Sequence, residues 1–134
     1  MSALKNPVYT LAFLLLAGPP QVHAQQQADG VFGSPFHFTE TTGRAIYQSV
    51  CAGCHMPDGR GATGAAIYPS LRHNPRLAAA GYAIAVILGG QKAMPPFART
   101  LTDRQIAEVV DYIRHDLDNN HPGDTTPEDI KTQR

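Results

Sequence analysis

The stretch CAGCHMPDGRGATG, residues 51–64, contains two known motifs one after the other. Its first five residues match C-x-x-C-H, which is typical of the covalent attachment of a c-type haem. Gly59, Gly61 and Gly64 match G-x-G-x-x-G, which is typical of dinucleotide binding when a strand precedes it and a helix follows. The two motifs predict different folds, so the surrounding sequence has to decide between them.

The sequence around the glycines does not fit a dinucleotide-binding unit. No strand pattern precedes the motif, and it leads into Tyr68 and Pro69 rather than into a helix. Such a unit also needs an acidic residue about 20 positions further on, whereas no Asp or Glu lies between Gly59 and Thr102. We therefore interpret residues 59–64 as a flexible loop around a prosthetic group.

Cys51 and Cys54 are the only cysteines in the chain. The alternatives to haem attachment are a disulfide, a thioredoxin-like redox pair and half of a zinc site. The sequence has no second pair of ligands at the spacing that a zinc site needs. No strand pattern precedes Cys51, as it would in a thioredoxin-like redox pair. His55, the next residue, favours haem attachment. Residues three apart on a helical turn share a face, so the thiols of Cys51 and Cys54 can both reach the two vinyl groups along one haem edge. His55 is placed to ligate the iron from the proximal side.

The N-terminus predicts export. Lys5 precedes a short apolar run at residues 8–17, which ends at Gly18 and two prolines. This pattern is typical of a secretory signal peptide, here residues 1–24, cleaved after about Ala24. The alternative is a membrane anchor, but a spanning helix needs about 20 apolar residues. We expect a periplasmic protein with no permanent membrane anchor.

Two regions before the last helix have a helical pattern. Ile46 and Val50 recur at helical spacing, which predicts a short helix from Thr42 into Cys51. Residues 74–90 predict one or two helical pieces, with an Asn-Pro pair at the start and a Gly-Gly pair at the end. Both predictions are helices, and neither region has the alternation of a strand.

The clearest helix is predicted in LTDRQIAEVVDYIRHDL, residues 101–117. Thr102 and Gln105 have the spacing of a capping box, and Leu101 and Ile106 that of a hydrophobic staple. One face of this helix carries a continuous apolar stripe. The stripe consists of Ile106, Val109, Val110, Ile113 and Leu117.

These elements predict an all-α domain at residues 42–117, after an irregular lead-in at residues 25–41. Residues 118–134 are polar, acidic and interrupted by proline, so we predict a disordered polar tail. The domain has few large apolar side chains, and a domain of this size is marginally stable unless something else helps to fill its interior. The 134-residue chain has no net charge, which argues against a nucleic-acid partner.

Met94 is the candidate for the sixth iron ligand. It lies in GGQKAMPPFART, a loop stiffened by two prolines, whereas Met56 follows His55 too closely to reach the opposite face of a haem. A methionine ligand raises the reduction potential of the iron. The alternative is that Met94 only fills the core. The other candidates for the sixth position are His73, His115 and His121.

Taken in order, four segments resemble the class I, or monohaem, c-type cytochromes. They are GRAIYQSVCAGCH, YPSL, AMPPF and LTDRQIAEVVDYIR, and the likeness covers residues 42–117. The resemblance implies a cytochrome c fold, with a few short helices and loops wrapped around one covalently attached haem c. It also implies that Gly43 lets the first helix cross the last one closely near Tyr112.

The resemblance also implies a role for each residue of the site. Cys51 and Cys54 would carry the thioethers, and His55 and Met94 would be the axial ligands of the iron. The carbonyl of Pro69 would accept a hydrogen bond from the second ring nitrogen of His55, which orients the ligand.

The expected function is that of a periplasmic one-electron carrier and not of an enzyme. Its redox partners would be a periplasmic dehydrogenase, a terminal oxidase or another cytochrome. One alternative is a tightly bound cytochrome subunit of a dehydrogenase or oxidase complex, and a less favoured one is a haem enzyme or gas sensor with an open iron site. Basic residues without acidic neighbours in sequence either steer an acidic partner or are ordinary solvated surface charges. They are Arg60, Arg72, Arg76, Lys92 and Arg99.

Overall fold

The computed structural model describes residues 37–64 and 66–134. The predicted signal peptide and most of the predicted lead-in lie outside these residues. The regular secondary structure of the described part is helical apart from one antiparallel hairpin of two-residue strands, so the predicted all-α class is confirmed. The elements in chain order are α1 (Gly43–Ile46), a π-helical turn (Tyr47–Cys51), α2 (Ala52–His55), β1 (Ala62–Thr63), β2 (Ile67–Tyr68), a 3₁₀ helix (Pro75–Ala78), α3 (Ala80–Gly89), α4 (Asp103–His115) and α5 (Pro127–Lys131).

The predicted helix from Thr42 into Cys51 is confirmed, and it continues to His55. The Thr42 side chain caps it by accepting a hydrogen bond from the Ala45 backbone. Between α1 and α2 the helix widens into a π-helical turn, in which the Ala52 N–H donates to the carbonyl of Tyr47. Such turns are rare and occur frequently at functional sites. Here the widened turn ends at the first cysteine of the C-x-x-C-H motif.

The first helix crosses α4 at Gly43, as the resemblance implies. A Cβ atom on Gly43 would lie 2.1 Å from the carbonyl oxygen of Glu108 and 2.7 Å from Cβ of Tyr112. Only glycine permits so close an approach of the two backbones. One turn further along, the rings of Tyr47 and Tyr112 pack at a centroid distance of 5.3 Å and an interplanar angle of 48°.

The two predicted helical regions after the hairpin have the predicted ends. Asn74 caps the 3₁₀ helix with its side chain, and Gly90 follows α3 with a φ of 73°, which glycine adopts without strain. Thr102 and Gln105 form the predicted capping box of α4. No helix among residues 37–64 and 66–134 is both long and apolar enough to cross a membrane.

The core lies where α1, α3 and α4 meet. It contains most of the apolar stripe predicted for α4 and four residues of α3, together with one residue from each of the other helical elements. The largest fully buried side chains are those of Tyr47, Ile46, Ile84, Ile106, Ile130, Val109 and Val110.

The C-terminal segment differs from the predicted disordered tail. Residues 118–134 fold back onto α4, and α5 buries Ile130 completely. Arg114, only 3% exposed, donates hydrogen bonds to the backbone carbonyls of Leu77, Pro122 and Gly123 at 2.6–3.0 Å. A buried guanidinium has five N–H donors to satisfy, and the folded-back segment supplies two of its acceptors. The ordered structure therefore extends past residue 117, the predicted end of the domain.

Candidate haem-attachment site

His55 is the last residue of α2 and is buried, with 8% of its surface exposed. Its Nδ1 atom lies 3.0 Å from the carbonyl oxygen of Pro69. Because a carbonyl oxygen only accepts, Nδ1 carries the proton, and Nε2 keeps the lone pair with which imidazole binds a metal. The contact with Pro69 that the resemblance implies is thus confirmed.

The helix ends sharply at the residue after His55. Met56 has a φ of 67°, and its carbonyl accepts a hydrogen bond of 2.7 Å from the Tyr47 hydroxyl. Burial, followed by the neighbouring Cys51, Tyr112 and Asp58, raises the pKa of Tyr47 above its ordinary value. The hydroxyl therefore remains a donor across the physiological range, and it fixes the exit of the chain from the C-x-x-C-H helix.

The loop after Met56 carries the Pro69 carbonyl back to His55. Gly61 donates its N–H to the carbonyl of His55 at 3.0 Å, and a Cβ on Gly61 would lie 2.2 Å from the carbonyl oxygen of Tyr68. In the hairpin, Ala62 pairs with Tyr68, directly before Pro69. Close backbone packing therefore places the acceptor, a role of Gly61 that sequence reasoning missed.

The three glycines of G-x-G-x-x-G have unequal roles. Gly59 and Gly61 have positive φ values of 77° and 70° and are closely packed, whereas a Cβ on Gly64 would meet nothing within 4 Å. The motif follows helix α2 and enters a hairpin, which is the wrong context for a dinucleotide-binding unit. The interpretation of residues 59–64 as a loop next to the site agrees with this geometry.

The two cysteines are free thiols, Cys51 half-buried and Cys54 exposed. Burial, together with the charge of Cys54, raises the pKa of the Cys51 thiol to about 12. A thioredoxin-like pair needs a thiol pKa below its usual value, and burial shifts the pKa of Cys51 in the opposite direction. Among the described residues, no three His, Cys, Asp or Glu side chains come together as a metal-binding group.

Met94 lies in a tight turn after α3. Its backbone N–H and carbonyl pair with those of Gln91 at 2.9 and 3.0 Å, and a Cβ on Gly90 would lie 2.6 Å from the Met94 carbonyl oxygen. The Met94 side chain is half-buried at the edge of the core. The ligation of iron by Met94 stays a prediction.

The other candidates for the sixth position are engaged elsewhere or exposed. His73 is exposed and lies 3.8 Å from Asp118. His115 contacts the carbonyl of Gly123 at 3.2 Å, and the Nε2 atom of His121 lies 3.1 Å from the carbonyl of Asn74. Met94 thus stays the predicted ligand on chemical grounds, because a thioether is a usual ligand of c-type haem iron.

The donor set fits a haem c. Cys51 and Cys54 are unpaired thiols three residues apart at the end of one helix, and the next residue presents an imidazole with a fixed tautomer. Imidazole and thioether are the usual axial ligands of electron-carrying c-type haem. The chain therefore has candidates for two attachment points and for two iron ligands, and one of these ligands, His55, is held by a hydrogen bond.

The basic residues predicted to steer a partner divide into two groups. Arg60 pairs with Asp58 at 2.5 Å, and Arg72 pairs with Asp118, so local acidic groups compensate these charges. The remaining basic residues of this stretch are exposed and have no acidic partner within 4 Å among the described residues. They are Arg76, Lys92 and Arg99.

Comparison with known proteins gives relatives for most of the chain. The cytochrome c subunit of alcohol dehydrogenase (quinone) from Gluconobacter oxydans (strain 621H) is 33% identical over 105 residues, which are 69% of this chain and 22% of that protein. The cytochrome subunit of fructose dehydrogenase from Gluconobacter japonicus is 33% identical over 119 residues, which are 78% of this chain and 24% of that protein. The chain thus spans less than a quarter of the length of these two relatives.

Solved structures of cytochromes are also similar. Cytochrome c6 from the diatom Phaeodactylum tricornutum matches with a TM-score of 0.45 and 28% identity, over 53% of this chain and 85% of that chain. Cytochrome cL from Methylophaga aminisulfidivorans matches with a TM-score of 0.45 and 26% identity, over 54% of this chain and 49% of that chain.

The family model described as "Cytochrome C oxidase, cbb3-type, subunit III" matches residues 39–113, which is more than half of the chain. The match includes both cysteines, His55, Pro69 and Met94. This chain therefore belongs to that family of c-type cytochromes, whose cofactor is a covalently bound haem c.

Proposed function

We propose that this chain is a periplasmic monohaem electron carrier. Cys51 and Cys54 hold the haem through thioethers, and His55 and Met94 ligate its iron. The observation that carries the proposal is the 3.0 Å contact between Nδ1 of His55 and the carbonyl of Pro69. It leaves Nε2 free for iron, next to two thiols at the spacing required for attachment.

The residues of the chain supply orientation and electronic tuning. Haem, when bound, supplies the exchange of one electron. The Pro69 carbonyl holds the His55 ring in one orientation and raises the basicity of its free nitrogen. A thioether from Met94 favours the reduced iron and raises its potential. Because His55 and Met94 would both hold the iron, no position would be left for a substrate, which is why we propose a carrier and not an enzyme.

Ligation by Met94 is tested by replacing it with leucine, which keeps the side-chain volume and removes the thioether. We expect Met94→Leu to abolish the absorption band of the thioether-to-iron bond in the ferric protein. Met56→Leu is the matched control. It should leave the band in place, because Met56 directly follows His55 and cannot reach the opposite face of the haem. An unchanged spectrum in Met94→Leu would refute ligation and favour an enzyme or gas sensor with an open iron site.

Export and attachment are tested together by mass. We infer that the signal peptide comprises residues 1–24, because a basic residue, a short apolar run and small residues follow one another there. Expression with a haem-attachment system should give a periplasmic protein that begins near Gln25 and carries the mass of one haem. A chain isolated without added haem contradicts the central proposal, and an uncleaved N-terminus contradicts export through a cleaved signal.

A second candidate function is that of a cytochrome subunit of a periplasmic dehydrogenase complex. It is supported by the relatives, which are described as cytochrome subunits of alcohol and fructose dehydrogenases. Both functions use the same haem site and differ only in how long the partner stays bound. Co-purification of the untagged partner with this chain distinguishes them, since a freely diffusing carrier elutes alone at physiological salt.

A further inference from the structure

We propose that residues 117–119, directly after α4, form a clamp that positions the Pro69 carbonyl and, through it, the ring of His55. This proposal rests on the proposed function, because the orientation of His55 matters only if it ligates iron. The clamp contacts the loop at residues 59–74 with three consecutive side chains, and it lies in a part of the chain with no sequence motif.

The backbone of the clamp is strained. Leu117 and Asp118 have φ values of 54° and 58°, a conformation that residues with a Cβ rarely adopt and that is unfavourable for leucine. Two such residues in succession persist only when surrounding contacts compensate for them, and strain of this kind occurs preferentially at functional sites. The contacts that hold the clamp in this conformation are therefore informative.

Leu117 and Asp118 contact the loop through packing and charge. A Cβ atom on Gly59 would lie 2.9 Å from Cδ1 of Leu117, so the leucine side chain covers the glycine. The carboxylate of Asp118 pairs with the guanidinium of Arg72, which also lies 3.8 Å from Asp58. The segment after α4 thus contacts the loop at Gly59 and at Arg72.

Asn119 makes the most specific contacts of the clamp. It is 7% exposed, and its Nδ2 atom donates to the carbonyls of Leu71 at 2.6 Å and Ile113 at 2.8 Å. Its Oδ1 atom accepts from the N–H of Asn74 at 3.0 Å. Both amide protons and the oxygen are used, which only an amide side chain permits. Asn119 therefore connects the last turn of α4 to the loop on both sides of Arg72.

Pro69 lies between two fixed points of this loop. On one side, Tyr68 is paired in the hairpin. On the other side, Leu71 is held twice. Its carbonyl accepts from Asn119, and the backbone N–H of Leu71 donates to the carbonyl of Gly59 at 2.8 Å. Release of Leu71 frees the segment that carries the Pro69 carbonyl, so the clamp acts on His55 through its hydrogen-bond acceptor.

The test compares Asn119→Ala with Asn120→Ala in the haem-loaded protein. Asn120 is the same residue type one position later, and it is exposed with no side-chain hydrogen bond among the described residues. NMR measures the hydrogen-exchange rate of the His55 Nδ1 proton, and voltammetry measures the reduction potential. In Asn119→Ala we expect exchange about tenfold faster, the equivalent of one weakened hydrogen bond, and a higher potential because the ligand becomes less basic. Asn120→Ala should match the wild type.

A purely structural role gives a different result. If Asn119→Ala lowers the unfolding temperature but leaves the Nδ1 exchange rate and the potential at wild-type values, the proposal is overturned. If Asn119→Ala does not fold, Asp118→Asn replaces it, since asparagine tolerates positive φ and the change removes only the charge that faces Arg72 and His73. We expect a smaller rise in Nδ1 exchange in Asp118→Asn, and no rise overturns the proposal.

The wild-type spectrum separates this proposal from the proposed function. A low-spin spectrum with the thioether band shows that His55 and Met94 ligate iron, and the variants then test the clamp alone. A wild-type spectrum without histidine ligation counts against the proposed function and removes the reason for a clamp. Failure of the clamp with an intact wild-type spectrum leaves the electron carrier standing.

Discussion

At the residue scale, a backbone contact at Gly61 contributes to the geometry of the site. Gly61 lies against the peptide that joins Tyr68 to Pro69, and its N–H is bonded to the carbonyl of His55. The glycine thus holds the two ends of the His55–Pro69 hydrogen bond together. Any side chain at this position has to push the two segments apart.

Replacing Gly61 by alanine should therefore destabilise the protein. A non-glycine residue at a φ of 70° costs about 1–3 kcal/mol, and the contact of 2.2 Å with the Tyr68 carbonyl adds to this cost. Gly64→Ala is the control, because nothing lies within 4 Å of its Cβ, and we expect a change within about 0.5 kcal/mol. Guanidinium unfolding of both haem-loaded variants measures the difference. Equal losses would contradict the assigned role of Gly61.

Gly61 and Gly64 show which parts of the site can be predicted from the sequence and which cannot. The side chains with distinctive chemistry, namely Cys51, Cys54 and His55, are recognised from their spacing, because haem attachment allows few arrangements. Gly61 and Gly64 are identical letters in one motif, and only the fold makes one of them necessary. Glycine permits a close approach between backbones but does not show at which glycine it occurs, so the role of Gly61 could not be predicted.

At the scale of elements, α5 shows how a short helix is stabilised by docking. Ile130 is its one buried apolar residue and has no exposed surface. We expect Ile130→Ala to lower the free energy of unfolding by about 2–5 kcal/mol, as for other buried isoleucines. Ile67→Ala is the control, because Ile67 is 78% exposed and its truncation creates no cavity. Thermal unfolding of both variants checks this, and an unchanged midpoint in Ile130→Ala would show that α5 does not dock.

The capping box of α5 gives this docking a dependence on pH. The side-chain hydrogen bond from Thr126, and then its backbone N–H, lower the pKa of Asp129 below 3.8. A carboxylate with a lowered pKa stabilises the fold at pH values above its ordinary pKa, and this stabilisation is lost as the pH falls through the folded value. Stability measured from about pH 5 to about pH 2, a range that extends well below 3.8, should therefore fall less steeply in Asp129→Asn than in the wild type.

Asp124 provides the control for the pH dependence. It is exposed and makes no hydrogen bond or ion pair among the described residues, so Asp124→Asn should keep the acid dependence of the wild type. If both variants lose stability as steeply as the wild type, the capping box of α5 does not contribute to acid sensitivity.

Helix α4 and the C-terminal segment mark the limits of prediction for elements. Helix α4 has thirteen residues, an apolar stripe and a capping box, and its position follows from the sequence alone. Helix α5 has five residues, and one buried isoleucine makes no periodic pattern. The segment that leads into it is held by Arg114, which donates to the carbonyls of Pro122 and Gly123, and no local pattern reveals these contacts. Composition therefore predicted disorder where tertiary contacts impose structure.

At the scale of the whole molecule, a net charge of zero conceals an uneven distribution. The stretch between Gly59 and Thr102 contains basic residues and no acidic ones. Ion pairs with Asp58 and Asp118 compensate two of the basic residues, so the field of this region depends on the three that remain. These are Arg76, Lys92 and Arg99.

This distribution predicts how electron transfer to an acidic redox partner depends on salt. Screening shortens the reach of surface charges to about 10 Å at 0.1 M ionic strength, so the bimolecular rate should fall as salt is added. Lys92→Gln should lower the rate and its salt dependence, and neutralising Arg76 and Arg99 as well should lower it about tenfold, at the low end of electrostatic steering. Lys131→Gln removes the same net charge from α5, where Lys131 already lies 3.5 Å from Glu128, and should leave the rate unchanged. A rate that does not vary with ionic strength, or equal effects of the two lysine variants, would show that this surface does not steer the partner.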